Sequence, residues 1–191
     1  MDSGKKKFLM MVAVFVTPVI IGTVLFFNLE RLGFEKGSTN YGNLVHPALP
    51  AVVADLKQGD AEAVREETIT KTWTMAYIEP NNCDQACLDK LTLIKKVRLL
   101  TNEKMRRVRT LFISNQTILD GIDNSQYRDM VMTHVADGKS EFLKQFPHRD
   151  TKPIYLIDPY GNIMMYYPQA ELNAKKIIKD INRLLKYSQL G

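Results

Sequence analysis

The sequence predicts an α/β domain, a central mixed sheet flanked by helices, carried behind one N-terminal transmembrane helix. Three observations predict it. An uncharged apolar run fills residues 8–27, a β-branched and aromatic run at 72–78 leads into a helical apolar stripe, and two short apolar runs flank the turn Asp158-Pro159-Tyr160-Gly161-Asn162. The 191 residues, 45% hydrophobic and 25% charged, have the size and make-up of one ordinary domain plus an appendage.

Taken in order, residues 1–7 form a short cytoplasmic N-terminus, 8–27 the anchor, 28–39 a tether and 40–191 the folded domain. The apolar run FLMMVAVFVTPVIIGTVLFF is long enough as a helix to cross roughly 30 Å of hydrocarbon. Pro18 does not argue against a span, because helix-breaking residues are tolerated in lipid. A cleaved signal peptide is the competing reading, but the run exceeds the usual apolar region and no A-x-A-like site follows it. Lys5, Lys6 and Lys7 precede the span, so the positive-inside rule leaves the N-terminus in the cytoplasm and the rest beyond the membrane. The expected location is a bacterial inner membrane, single-pass, with the domain in the periplasm.

Residues 41–55 hold two prolines and read as short extended pieces, and 56–70 as a hairpin or loop. Residues 72–78 read as a buried strand stopped by Pro80-Asn81-Asn82. Over 83–100, Cys87, Leu91, Ile94, Val97 and Leu100 recur at helical spacing. A second strand falls within 106–114. Residues 123–146 are expected to be helical in part, most clearly at 141–146, with His134 on such a helix. Residues 154–157 and 163–167 form a hairpin, and 170–189 an amphipathic closing helix. Strand, helix, strand, helix, hairpin, helix is the thioredoxin succession, its first unit a parallel crossover.

Cys83 and Cys87 are the only two cysteines, and both lie beyond the span, where disulfides persist. A spacing of four places them about a helical turn apart, within disulfide reach. Cys83 stands at a helix mouth, where unsatisfied N–H groups and the dipole favour a thiolate. A structural disulfide closing so short a loop would be a weak staple. Two thiolates suit copper if an imidazole completes the set. Of His46, His134 and His148, the last is best placed, in the loop leading to the strand at Ile154. Pro153 is a candidate cis-proline, and Met164 and Met165 read as core packing. The net charge of +5 includes the cluster KMRRVR, which lacks interleaved aromatics; nucleic acid binding is not expected.

The stretches AYIEPNNCDQACLDKL and PIYLIDPYGNIMMYYP, with the single anchor, resemble the Sco family, membrane-anchored copper proteins of cytochrome c oxidase assembly. The resemblance implies a thioredoxin-like fold, bound copper, and a cytochrome c oxidase subunit with a cysteine copper site as partner. It carries over to Cys83 and Cys87. That family's third ligand is a histidine before the late strand, where this sequence has Asp150, with His148 two residues earlier. The resulting expectation is an assembly factor acting by thiol–disulfide exchange, copper delivery, or both, with Cys83 attacking and Cys87 resolving. The alternative is a non-catalytic scaffold that holds an oxidase subunit. A peroxide-reducing enzyme is disfavoured, since the turn Glu79-Pro80-Asn81-Asn82 lacks the threonine and arginine arrangement such activity needs.

Overall fold

The computed structural model describes residues 3–28, 39–53, 55–58, 62–79, 82–115, 125–135 and 140–189. The chain divides into two compact units, Met1–Thr39 and Asn40–Gly191. In the first, Ser3–Asn28 (α1) is one helix of 26 residues with Pro18 inside it. Its most apolar window has a mean hydropathy of 2.5 and is 0% buried. At 1.5 Å per residue it runs to roughly 39 Å, beyond the ~30 Å of a hydrocarbon core. It fits a single-pass membrane anchor.

In the second unit the described strands form one eight-stranded sheet. They are Asn43–Pro50 (β1), Leu56–Gln58 (β2), Glu62–Ala63 (β3), Trp73–Glu79 (β4), Val108–Ser114 (β5), Met130–Val135 (β6), Ile154–Ile157 (β7) and Asn162–Tyr167 (β8). Their spatial order is β1-β8-β7-β4-β5-β6-β2-β3. The helices are Gln85–Leu99 (α2), Glu141–Lys144 (α3) and Ala174–Tyr187 (α4). As the strand–helix–strand pattern predicts, β4 and β5 run parallel, Trp73 opposite Val108 through Glu79 opposite Ser114. β7 pairs antiparallel with β4 on its other side and with β8 across the turn. That turn follows from its residues: Asp158 Oδ1 accepts the Tyr160 and Asn162 N–H groups, and Gly161 takes φ 88°, which only glycine adopts freely.

The expected partial helix over 123–146 is corrected. β6 is a strand, parallel to β5, and His134 lies on it, opposite Ser114. Met130 and Met132 pack into one core while Val131 and Val135 pack into the other, so both faces are apolar and the period of two is hidden. Among the described residues of the range only 141–144 form an α-helix; residues 123, 124 and 136–139 lie outside the described residues. The start of α3 is held by the Asp55 carboxylate, which accepts the Glu141 and Phe142 N–H groups, and by Ser140 Oγ, which accepts that of Leu143. β1 tolerates Pro47 and Pro50 because it is an edge strand. The cis peptide bond falls there, at His46–Pro47, and Pro153 follows a trans bond.

Alternation along the strands divides the buried residues into two cores. Trp73, Met75, Tyr77, Val108 and Phe112 join Leu91, Ile94 and Val97 of α2 and Ile177, Ile181 and Leu185 of α4. On the other face Ala76, Ile78, Leu111, Ile113, Tyr155 and Ile157 join Phe142 and Leu143 of α3 and Leu56, Val64 and Ile69. Every buried side chain of both cores belongs to the second unit, which therefore carries its own core. Its first residues are tied down by Asp180 of α4. The buried carboxylate accepts the Tyr41 N–H at 2.9 Å and the Gly42 N–H at 2.9 Å, with the Tyr167 hydroxyl at 3.4 Å.

Candidate thiol site

β4 delivers the chain to the cysteines. Trp73–Glu79 is buried throughout, the signature of a central strand covered on both faces. Asp84 then caps α2: its Oδ1 accepts the Cys87 N–H at 2.9 Å. Cys83 therefore lies just outside the helix, and Cys87 in its first turn. The two are joined as a disulfide with a Cα separation of 5.2 Å. They differ in access. Cys87 is 1% exposed within the α2/α4 core, whereas Cys83 is partly buried against it. The field at this helix end is mixed. The dipole favours an anion, but the exposed Asp84 carboxylate already sits there and offsets part of that preference.

Beside the pair lies a polar network the sequence reading missed. Lys90, one turn beyond Cys87 and 4% exposed, donates to the Tyr77 hydroxyl at 3.0 Å, the Gln169 Oε1 at 2.9 Å and the Lys152 carbonyl at 3.3 Å. The Tyr77 hydroxyl donates to Glu79 Oε2 at 2.9 Å, and Lys152 Nζ meets the same carboxylate at 3.0 Å. Glu79 is 2% exposed. Burial pulls the Lys90 ammonium below the usual lysine range, against the pull of Glu79. Burial, helped by the Glu79 hydrogen bond, drives the Tyr77 hydroxyl well above its usual value. The signal available in the sequence was a lysine on the buried stripe of α2, between Cys87 and Leu91.

Lys152 is thus gripped at both ends, its carbonyl by α2 and its ammonium by the end of β4. It closes a short turn, Arg149–Thr151, flanked by two left-handed residues, His148 at φ 56° and Lys152 at φ 44°.

His148 is exposed and stacks on Tyr166, ring centroids 4.8 Å apart. Tyr166 packs with the second core, on the sheet face opposite the one that buries Cys87. Among the described residues no group of three His, Cys, Asp or Glu side chains is gathered to hold a metal ion. His46 is exposed on edge strand β1 and His134 is buried on β6. Asp150, which the sequence resemblance aligns with the Sco histidine, lines a cavity of about 240 Å³ with Arg149, Ile78, Pro153 and Tyr155. The site is thus a disulfide-bonded sulfur pair, one cysteine half-buried and the other fully buried, with a polar network behind it.

No curated protein matches the sequence. Solved structures share the fold. Apo Sco1 from Thermus thermophilus is 15% identical, with a TM-score of 0.55, over 78% of this chain and 99% of that one. A SCO1/SenC family lipoprotein from Bacillus anthracis is 18% identical, with a TM-score of 0.52, over 74% and 99%. Copper-bound ScoI from Arabidopsis thaliana is 14% identical, with a TM-score of 0.50, over 77% and 99%. The expected Sco-like, thioredoxin-like fold is therefore the fold observed. Residues 73–188 match the family model described as "Transmembrane-like, thioredoxin-like, C-terminal domain". Running from the first residue of β4 to just past α4, that match covers more than half of the chain, which belongs to this family of transmembrane-like, thioredoxin-like domains.

Proposed function

We propose that this protein is a membrane-anchored assembly factor for cytochrome c oxidase that acts by thiol–disulfide exchange through Cys83 and Cys87, with the domain in the periplasm. The observation that carries the chemistry is the disulfide at the mouth of α2, between a half-buried Cys83 and a fully buried Cys87. The assignment to oxidase assembly rests on the Sco-like fold and the two sequence stretches that resemble that family. In the reduced protein the Cys83 thiolate attacks one sulfur of a partner disulfide, forming a mixed disulfide and releasing the partner's other sulfur as a thiolate. Cys87, held one turn away, attacks the Cys83 sulfur. The mixed bond breaks, the second partner sulfur leaves, and the Cys83–Cys87 disulfide forms. Two electrons pass to the partner, whose thiolates take up the two protons. A dithiol reductant of the same compartment restores the starting state.

Mixed-disulfide trapping tests this. With Cys87→Ser, Cys83 should hold the partner covalently; with Cys83→Ser no adduct should form. Support of oxidase assembly by the Cys83→Ser protein would establish the non-catalytic scaffold instead.

Copper delivery is the second reading, favoured by the two sulfurs, which as thiolates form a soft donor pair. Copper would then be cargo, with Cys83 and Cys87 as ligands and, as the third, a group from outside the chain or His148, whose ring would have to leave Tyr166 to reach them. Anaerobic copper titration of reduced residues 40–191, with and without His148→Ala, distinguishes these. Tight stoichiometric binding weakened by the substitution assigns His148, and unaltered tight binding assigns an outside group. No binding in a domain whose thiols oxidise readily removes copper from the proposal.

A further inference from the structure

The outer face of α4 carries an arrangement that the thiol chemistry does not use. Its exposed residues are Lys175, Lys176, Lys179, Arg183, Lys186 and Tyr187. At 100° per residue these fall within one stripe, and Lys175 to Lys186 spans roughly 17 Å. The helix's one carboxylate, Asp180, points the other way, buried against the Tyr41 and Gly42 amides. Neither Lys175 nor Lys179 has an ion-pair partner among the described residues.

Lys176 lies over the Tyr41 ring and Lys186 over the Tyr187 ring, but the spacing of the charges works against the helix. Lys175 and Lys179, and Lys179 and Arg183, are like charges four apart; Lys176 and Lys179, and Arg183 and Lys186, are like charges three apart. Each such pair destabilises a helix. Lys175 and Lys176 also occupy the first turn, where no acidic residue stands and the dipole disfavours cations. A linear run of five cations maintained against these effects fits a flat anionic surface.

We infer that the α4 stripe docks on the surface of an anionic phospholipid bilayer. Two further observations select lipid over an acidic protein. If α1 is an anchor, the dozen residues 28–39 reach at most roughly 40 Å even fully extended, so a bilayer surface is always within range. The stripe also ends in Tyr187, 73% exposed, an amphipathic ring of the kind that settles at the headgroup level. Each cation near an anionic leaflet strengthens binding about fivefold. The inference is independent of the thiol reading and stands or falls apart from it.

The test is co-sedimentation of residues 40–191, the unit that carries its own core, with vesicles of phosphatidylcholine alone or with about a third phosphatidylglycerol. Binding should need the anionic lipid and fade with salt. Lys175→Glu with Lys179→Glu changes four charge units and should weaken binding at least about a hundredfold. Lys57→Glu with Lys144→Glu, on β2 and α3, makes the same change in net charge and should retain most of it; melting curves establish that both variants fold. Failure of the wild-type domain to bind anionic vesicles would overturn the inference. So would equal loss in the two variants, which would reduce the effect to net charge. Binding to polyglutamate but to neither vesicle would overturn it in favour of an acidic protein.

Discussion

A disulfide that works by exchange must leave the protein folded in both oxidation states, and the structure sets how much stability its reduction should remove. The bond links residues four apart in sequence, so it closes a loop of only five residues. In the chain-entropy model such a loop contributes about 2 kcal/mol, against about 4.7 for one of a hundred residues. Reduction leaves Cys87 in place as a small apolar side chain among Leu91 and its neighbours. For a domain of this size 2 kcal/mol corresponds to about 4–8 °C in Tm. The assay is urea and thermal unfolding of residues 40–191, oxidised and with a phosphine reductant. The expected outcome is one cooperative transition in each state, an unchanged m-value, and a midpoint lowered by that amount. Loss of the cooperative transition, or a change above about 4 kcal/mol, would refute the reasoning and identify the bond as a structural staple.

Three further outcomes follow from the packing and the buried charges. Glu79→Ala leaves Lys90 and Lys152 without the carboxylate between them and should destabilise the domain by about 3 kcal/mol in urea unfolding, with Glu79→Gln milder because the amide can still accept from Tyr77. Gly42→Ala places a Cβ 2.4 Å from Met165 Sδ and 2.5 Å from a Tyr167 ring carbon, an overpacking worth about 1–3 kcal/mol in the same assay. Alkali should destabilise the fold: burial holds the Tyr77, Tyr155 and Tyr167 hydroxyls protonated well above their usual range. The unfolded chain loses these protons from about pH 10 while the native state keeps them, so stability falls by up to about 4 kcal/mol per pH unit. Lys90, held below its usual range, opposes this with a single proton, and only up to about pH 10.4. Urea midpoints at pH 9, 10.5 and 11 check the direction, and a rising midpoint would contradict it.

The sequence was most legible where a local signal decided the structure. The Asp158–Asn162 turn makes its own hydrogen bonds, so the β7–β8 hairpin could be placed from composition alone. Trp73–Glu79 is apolar almost throughout and ends at a proline, and α2 announces itself through its stripe. β6 was not legible, because Met-Val-Met-Thr-His-Val loads both faces of the sheet and its partner β5 lies some twenty residues upstream. The cysteine pair is a local feature and stood out. The network behind it draws on residues 77, 79, 90, 152 and 169, which only the fold brings together. His148 looked well placed by its distance along the chain from β7. Its left-handed backbone and its stacking on Tyr166, which set where the ring goes, leave no mark in the sequence.

The grip of Asp180 on the first residues of the domain has a mechanical consequence. Any pull arriving through residue 40 meets the Tyr41 and Gly42 amides, both fastened to a carboxylate on α4, before it reaches the ladder between β1 and β8. Load therefore passes first into a helix seated by Ile177, Ile181 and Leu185, and the edge strand is shielded from being peeled away residue by residue. The Asp180 side chain at that junction acts as a strain relief for the whole sheet.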